Sequence, residues 1–382
     1  MGAFASGPPT AAPRTMGTML DAPLDIFRMR QYFDVLTRMR EVADGVRDDV
    51  GFVRRVRKGL VPLPLDRGPR PVDPFPPPEP LDAGALAGRS LGVVATGGSG
   101  ALASLVGVAR ATEEAGVTPS VVAVCSGSAL FGFPLAAGMP AADVARFVTG
   151  LRPGDYLDPD WRTVLTLLPR AARGFAGLLK GEAVEATYRS LLGDMRLGDL
   201  PVPCYAPIWN VEENRLEYLG PRTRPEMTVA RAVRMAIALP LFIDPVELAG
   251  GSWCDGGIVD IFPVHPLLDI EDRPDAVLAV NGFYPTGFGG EEAPRDWRQR
   301  PLSILHVASQ VRTCQQIQLA RENLRRLRDA CEVVLIEPVP YQKVRGIGFY
   351  DQFVSTGDWP GFMVAGREHA RRGLAALAGH KR

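Results

Sequence analysis

Histidine is scarce in this chain. Four occur in 382 residues, His265, His306, His369 and His380, and none sits in a cluster with cysteine. No Cys-x-x-Cys occurs either, so the spacing of a zinc site is missing and no zinc is expected. The five cysteines are an odd number, and Cys125 and Cys204 lie in apolar runs. They are expected reduced and buried rather than paired. An excess of charge is also lacking: 43 Lys and Arg balance 43 Asp and Glu. Nothing global therefore pulls the chain toward nucleic acid, which is excluded as a partner class. No apolar run reaches the ~18 residues of a membrane span. The start has no charged segment followed by an apolar one, so no signal peptide is expected, and the match of Met1–Ser6 to the myristoylation pattern is loose. The expected location is the cytoplasm.

What is present is a long chain with 46% hydrophobic residues, enough for one large or two modest domains. Residues 1–20 are rich in Gly, Pro, Ala and Thr. From Asp25 to Leu60, apolar residues such as Ile26, Met29, Phe33 and Leu36 recur at helical spacing, with arginines between them. This predicts one or two basic amphipathic helices, with breaks at Gly45 and Gly51. Such a helix docks on the main domain, lies on an anionic membrane, or pairs with another copy or partner. Residues 61–80, ending in Pro76-Pro77-Pro78-Glu79-Pro80, are a proline-rich linker or surface strap. These segments make an N-terminal extension over 1–88, and 89–382 form the main domain.

From Ser90 onward, short apolar runs alternate with helical patterns, which argues for an α/β fold with a mainly parallel sheet. Strands are predicted over 91–95, 121–124, 202–211, 215–219, 276–280 and 332–336, and helices over 101–115, 302–329 and 360–377. Residues 141–198 read as mainly helical, and His265 as a loop residue.

Three segments carry chemistry. The first is the turn Thr96-Gly97-Gly98-Ser99-Gly100 between strand and helix, which leaves backbone N–H groups free to bind an anion. Gly98 to Ala103 also fits G-x-G-x-x-A, but a dinucleotide site wants an acid at the end of the second strand, about 20 residues on. That strand ends instead in Cys125-Ser126. The second segment is Cys125-Ser126-Gly127-Ser128-Ala129-Leu130, a hydroxyl residue on a tight strand-to-helix turn. A nucleophile elbow has this form, and so does a serine N-cap. The third is Trp253-Cys254-Asp255-Gly256-Gly257, a carboxylate on a glycine turn.

Together the three segments resemble the patatin-like phospholipase family, whose pattern is a Gly-Gly-Gly-x-Arg-Gly turn, a Gly-x-Ser-x-Gly elbow and an Asp-Gly-Gly. The helix after the glycine turn and the stretch Ala230–Phe242 before the aspartate resemble it too, so the likeness covers about residues 89–380. It implies a three-layer α/β fold, with the central sheet flanked by helices. It further implies a Ser–Asp dyad without histidine. Counted from Gly116, the family serine falls on Ser126; Ser128 is the alternative nucleophile. The implied oxyanion hole is made by backbone N–H groups of Gly97, Gly98, Ser99, Gly100 and Gly127. Here Ser99 replaces a glycine, Ala101 an arginine, and Val124 and Ser128 the two elbow glycines. The activity implied is hydrolysis of lipid acyl esters through an acyl-enzyme, for which no metal or organic cofactor is expected. Two other readings stand beside it: transfer of the acyl group to an acceptor other than water, and a non-catalytic protein of this fold that binds lipid or a partner. Self-association is compatible with all three.

Overall fold

The structure, a computed structural model, describes residues 71–379 except 83–85, 87, 157, 159–175, 271–272, 284–302 and 341–355. The basic helix expected over 25–60 lies outside the described residues. Contacts divide the chain into two units. The larger, 51–292 with 314–382, holds the whole sheet. Of the smaller, only 303–313 fall among the described residues.

The strands are β1 (Leu91–Ala95), β2 (Val121–Ala123), β3 (Cys204–Asn210), β4 (Arg215–Leu219), β5 (Val246–Leu248), β6 (Gly251–Asp255), β7 (Ala276–Val280) and β8 (Glu332–Ile336). The helices are α1 (Ser104–Glu114), α2 (Ala129–Ala136), α3 (Ala141–Gly150), α4 (Glu182–Leu192), α5 (Val229–Ala236), α6 (His265–Leu268), α7 (Ser303–Ala330) and α8 (Trp359–Gly379). Pairing runs β5-β6-β3-β2-β1-β7-β8, with β4 also on β3. The β3-β2-β1-β7-β8 part is parallel; β4, β5 and β6 add antiparallel pairs. His265, expected in a loop, instead opens the short helix α6.

β1 and β7 are buried along their whole length. Both faces of the sheet are covered, so its strands read as unbroken apolar runs rather than alternating ones. The alternation is in the packing. Val93, Val122 and Leu278 join a core with α1, α2, α3, α5 and α8. Val94, Ala123 and Val277 face the other way, toward Ile261, Phe262, Leu267 and the α7 residues Leu324 and Leu327. The fold is thus a three-layer α/β arrangement with the parallel strands at its centre.

Helices α1 and α8 cross at two glycines. A Cβ on Gly107 would run into the Met363 carbonyl, and one on Gly366 into that of Ser104. Close beside this crossing, buried Glu114 takes ion pairs from Arg367 (3.0 Å), Arg110 (3.3 Å) and Arg371. The proline-rich stretch is a strap where it is described. Val72 N–H donates to Thr149 Oγ1 (3.0 Å), Leu81 N–H to the Glu114 carbonyl (3.0 Å), and Arg371 reaches the Glu79 carbonyl (2.8 Å).

Candidate active site

Register brings the three motif segments to one level beyond the carboxyl ends of the parallel strands. Val94 pairs with Ala123, so Gly97 and Ser126 each stand three residues past that rung. Ala123 in turn pairs with Tyr205, and Ile208, three residues further along β3, pairs with Asp255. One edge of β3 is covered by β4 over Ala206–Asn210, and the continuation of β4 at Gly220 lies against Tyr205 and the Cys204 carbonyl. That leaves the opposite edge to β2 as far as Tyr205 and to β6 from Ile208 onward. The C-terminal ends of β2 and β6 therefore meet head to head along one edge of β3, with Ser126 after the first and Asp255 closing the second. Ligands bind beyond such strand ends in open α/β sheets.

Ser126 has φ 51°, one of three non-glycine residues in the left-handed region among the described residues. A side chain held there costs roughly 1–2 kcal/mol of backbone strain. Ser126 opens a 3-10 turn (Ser126–Ser128) that leads straight into α2. Ser128 has a different role. It is fully buried, its Oγ accepts from Cys125 N–H (2.7 Å), and it donates to the Cys125 carbonyl (2.9 Å). Both bonding directions of its hydroxyl are spent on closing the turn.

The two lost elbow glycines are explained by their surroundings. Val124 continues β2, donating its N–H to the Tyr205 carbonyl (2.8 Å). Its branched side chain lies over Gly132 of α2, where any Cβ would collide with Val124 Cγ1. The space a glycine would have left at 124 is left at 132. At 128 the serine hydroxyl folds back onto its own turn. The position of the family's arginine, Ala101, is wholly buried in the apolar core, where a charged group would be costly.

The glycine turn is pinned from two sides. Gly97 N–H donates to the Ile261 carbonyl (2.8 Å), and Thr96 Oγ1 accepts from Gly282 N–H (3.0 Å). Gly97 thus anchors the turn, because its N–H is already committed. Among the described residues, the N–H groups of Gly98, Ser99 and Gly127 have no acceptor. A Cβ on Gly127 would run into the Gly98 carbonyl, so the glycine turn and the elbow are in direct contact there. A Cβ on Gly97 would lie 3.3 Å from Ser126 Cβ and 3.0 Å from Cys125 Sγ. Gly100 opens the 3-10 turn that precedes α1. Ser99 Oγ is buried with no hydrogen-bond partner.

Asp255 is 1% exposed and accepts Gly257 N–H on Oδ1 (2.8 Å). Its own N–H donates to the Ala238 carbonyl (2.9 Å), which ties the β6 end to the turn after α5. Cys125 adjoins both the glycine turn and the loop after Asp255. Its Sγ is near Gly97 and Gly257, and burial together with Asp255 and Asp260 pushes its thiol well above the ordinary range. That cysteine is kept neutral.

Several residues at the site escaped the sequence reading. Asp260 is 3% exposed, and its Oδ2 accepts from Tyr218 OH (2.6 Å). Burial raises its pKa, opposed by its hydrogen bonds. A lone carboxylate in the apolar run Ile258–Phe262 was the signal for it. Asn323 and Gln316 of α7 also reach the site, and no pattern in their own segment marked them. Among the described residues no cluster of three His, Cys, Asp or Glu could hold a metal ion, and no helix is long and apolar enough to cross a membrane.

Residues 93–268 match the model of the patatin-like phospholipase family. An NTE family protein of Mycobacterium tuberculosis is 28% identical over 123 residues, which are 32% of this chain and 32% of that protein. A lysophospholipase of Emericella nidulans is 27% identical over 199 residues, 51% of this chain and 12% of that one. The chain thus spans about a third or less of the length of these relatives. Among solved structures, VipD from Legionella pneumophila aligns with a TM-score of 0.45 at 15% identity, covering 75% of this chain and 67% of that one.

Proposed function

Residues 93–268 belong to the patatin-like phospholipase family, and on that premise we propose that the chain is a serine hydrolase of lipid acyl esters. Ser126 attacks the ester carbonyl, and Asp255 takes its proton. The N–H groups of Gly98, Ser99 and Gly127 hold the oxyanion, with Gly97 fixing the turn that presents the first two. Removing one such donor typically raises the barrier by roughly 3–4 kcal/mol. Asp255 passes that proton to the departing alcohol, leaving the acyl-enzyme; it then takes a proton from the water that attacks the acyl carbonyl and returns it to Ser126 as the acid leaves. The cycle uses only groups of this chain.

The observation that carries this reading is the left-handed φ of Ser126, on a turn in contact with unpaired N–H groups and at the level of the Asp255 end of β6. The test is reaction with a fluorophosphonate probe, followed by mass mapping of the modified residue. Modification at Ser126 in wild type, with none in Ser126→Ala, is the expected result. Product analysis with an added alcohol acceptor separates hydrolysis from acyl transfer. The basic segment over 25–60 is proposed as a peripheral contact with anionic lipid, where each arginine adds roughly 1 kcal/mol.

A further inference from the structure

We propose that Asn323 of α7 is a positioning residue that couples the Asp255 loop to the oxyanion turn, with Gln316 as its second anchor. The two side chains stand seven residues apart on one face of the helix, two turns of it. Gln316 Nε2 donates to the Gly257 carbonyl (2.8 Å). Asn323, 1% exposed, gives one donor to Asp260 Oδ1 (2.9 Å) and one to the Phe262 carbonyl (2.8 Å). Both neighbours are acceptors, so the amide orientation is fixed by chemistry. Leu324 and Leu327 beside it are buried against the sheet and set the depth of the helix.

What lies between the anchored residues gives them their reach. Ile261 stands between Asp260 and Phe262, and its carbonyl holds Gly97 N–H. The path runs from Asn323, through residues 260–262, to Gly97 and the adjoining Gly98 and Ser99. In the other direction it runs through Gly257, whose carbonyl Gln316 holds and whose N–H bonds Asp255 Oδ1. One face of one helix therefore fixes both the base and the oxyanion donors relative to the sheet. Tyr218 on β4 fixes the remaining Asp260 oxygen.

This inference rests on the proposed function, and the experiment separates the two. Wild type, Asn323→Leu and Asn323→Asp are compared for fluorophosphonate labelling rate, kcat and KM on a short ester, thermal melting, and hydrogen exchange of a peptide spanning 96–100. Misplacement by about 1 Å costs on the order of 100-fold in rate. Asn323→Leu, which keeps the volume and removes both donors, is expected to lower kcat and labelling by roughly 10–100-fold with KM little changed. Exchange of the Gly97 amide, which is bonded to the Ile261 carbonyl, is expected to rise at least about tenfold, reporting the loosened turn.

Asn323→Asp gives a readout that general destabilisation would not. The introduced carboxyl faces Asp260, and two carboxyls at hydrogen-bond distance share one proton. Tyr218, Cys125 and His265, from β4, the elbow and α6, are the other titratable groups around Asp260. Protonated, the new group donates its one O–H to Asp260 and leaves the Phe262 carbonyl without that donor; ionised, it repels Asp260. The ratio of variant to wild-type kcat is expected to fall as pH rises. A flat ratio, or normal labelling and exchange in a folded Asn323→Leu, would overturn the inference. If Asn323→Leu fails to fold, the Asn323→Asp ratio decides alone. A wild type that never labels would sink the proposed function itself, whereas the exchange data would still test the coupling.

Discussion

The two serines of the elbow separate stability from chemistry, and they should do so in opposite directions. Ser126 sits at φ 51°, where an L side chain costs roughly 1–2 kcal/mol. Ser126→Gly removes that strain but adds unfolded-state entropy of about 0.5–1 kcal/mol. The net is a gain of up to about 1.5 kcal/mol, or a rise in Tm of as much as roughly 6 °C at 2–4 °C per kcal/mol. The same substitution deletes the proposed nucleophile, so turnover and fluorophosphonate labelling vanish. Ser128→Ala does the reverse. It orphans the buried Cys125 N–H, which Ser128 Oγ accepts at 2.7 Å, at a cost of about 1–3 kcal/mol. Tm should fall by roughly 4–8 °C for the middle of that range. Labelling of the folded enzyme should persist. Differential scanning calorimetry and probe labelling on the two variants give four outcomes to compare. Labelling that survives in Ser126→Gly and disappears in folded Ser128→Ala would refute the assignment. A Ser126→Gly protein less stable than wild type would refute the strain argument independently.

Other changes draw on the same contacts. Asp255→Asn keeps an oxygen for Gly257 N–H and so should stay folded, while kcat falls by roughly 100–10,000-fold for loss of the base; equal loss in His265→Ala would instead indicate a triad. Gly132→Ala drives a methyl into Val124 and should destabilise by roughly 1–3 kcal/mol, measured by urea unfolding, and Val124→Ala in the same chain should recover most of it. Maleimide at pH 8 should modify exposed Cys314 quickly and leave Cys125 unmodified, because that thiol is buried and held neutral; peptide mapping checks this. A truncation at residue 70 keeps the strap contacts of Val72, Glu79 and Leu81, so the protein should fold and cleave a soluble ester while losing more activity on anionic vesicles. Equal loss on both substrates would place the basic segment in the active site instead.

The sheet was legible in the sequence because both its faces are buried. Runs such as Ala276–Val280 have no polar residue to confuse them, and their turn signals are clean. The β5–β6 hairpin was not read. Its strands are short and carry Glu247 and Ser252, and its turn is Ala249-Gly250, so neither run length nor alternation marked it. The motif residues were legible as types: a serine at a strand end, an aspartate before two glycines. Their departures from the family pattern could not be interpreted from spacing. The missing glycine at 124 is compensated at 132, in the next helix, and only packing reveals that the two positions compete for one space.

The same limit applies to Asn323. Hydrogen bonds to Asp260 and Phe262 join residues 63 and 61 apart in sequence, through a helix whose local pattern is that of any charged amphipathic helix. What makes those bonds matter is the switch on β3, where the parallel partner β2 ends at Tyr205 and the antiparallel partner β6 begins at Ile208. A parallel sheet alone would deliver Ser126 and the glycine turn to one edge. The antiparallel return delivers Asp255 to the same level from the opposite direction, with a loop that β1 and β2 meet only by the apolar packing of Val94 and Ala123 against Ile261 and Phe262. Gly97, Asn323, Gln316 and Tyr218 supply its polar support from three other elements. The proposed base is therefore the part of the site whose position depends most on residues remote from it in sequence, and substitutions at those residues should separate folding from activity most cleanly.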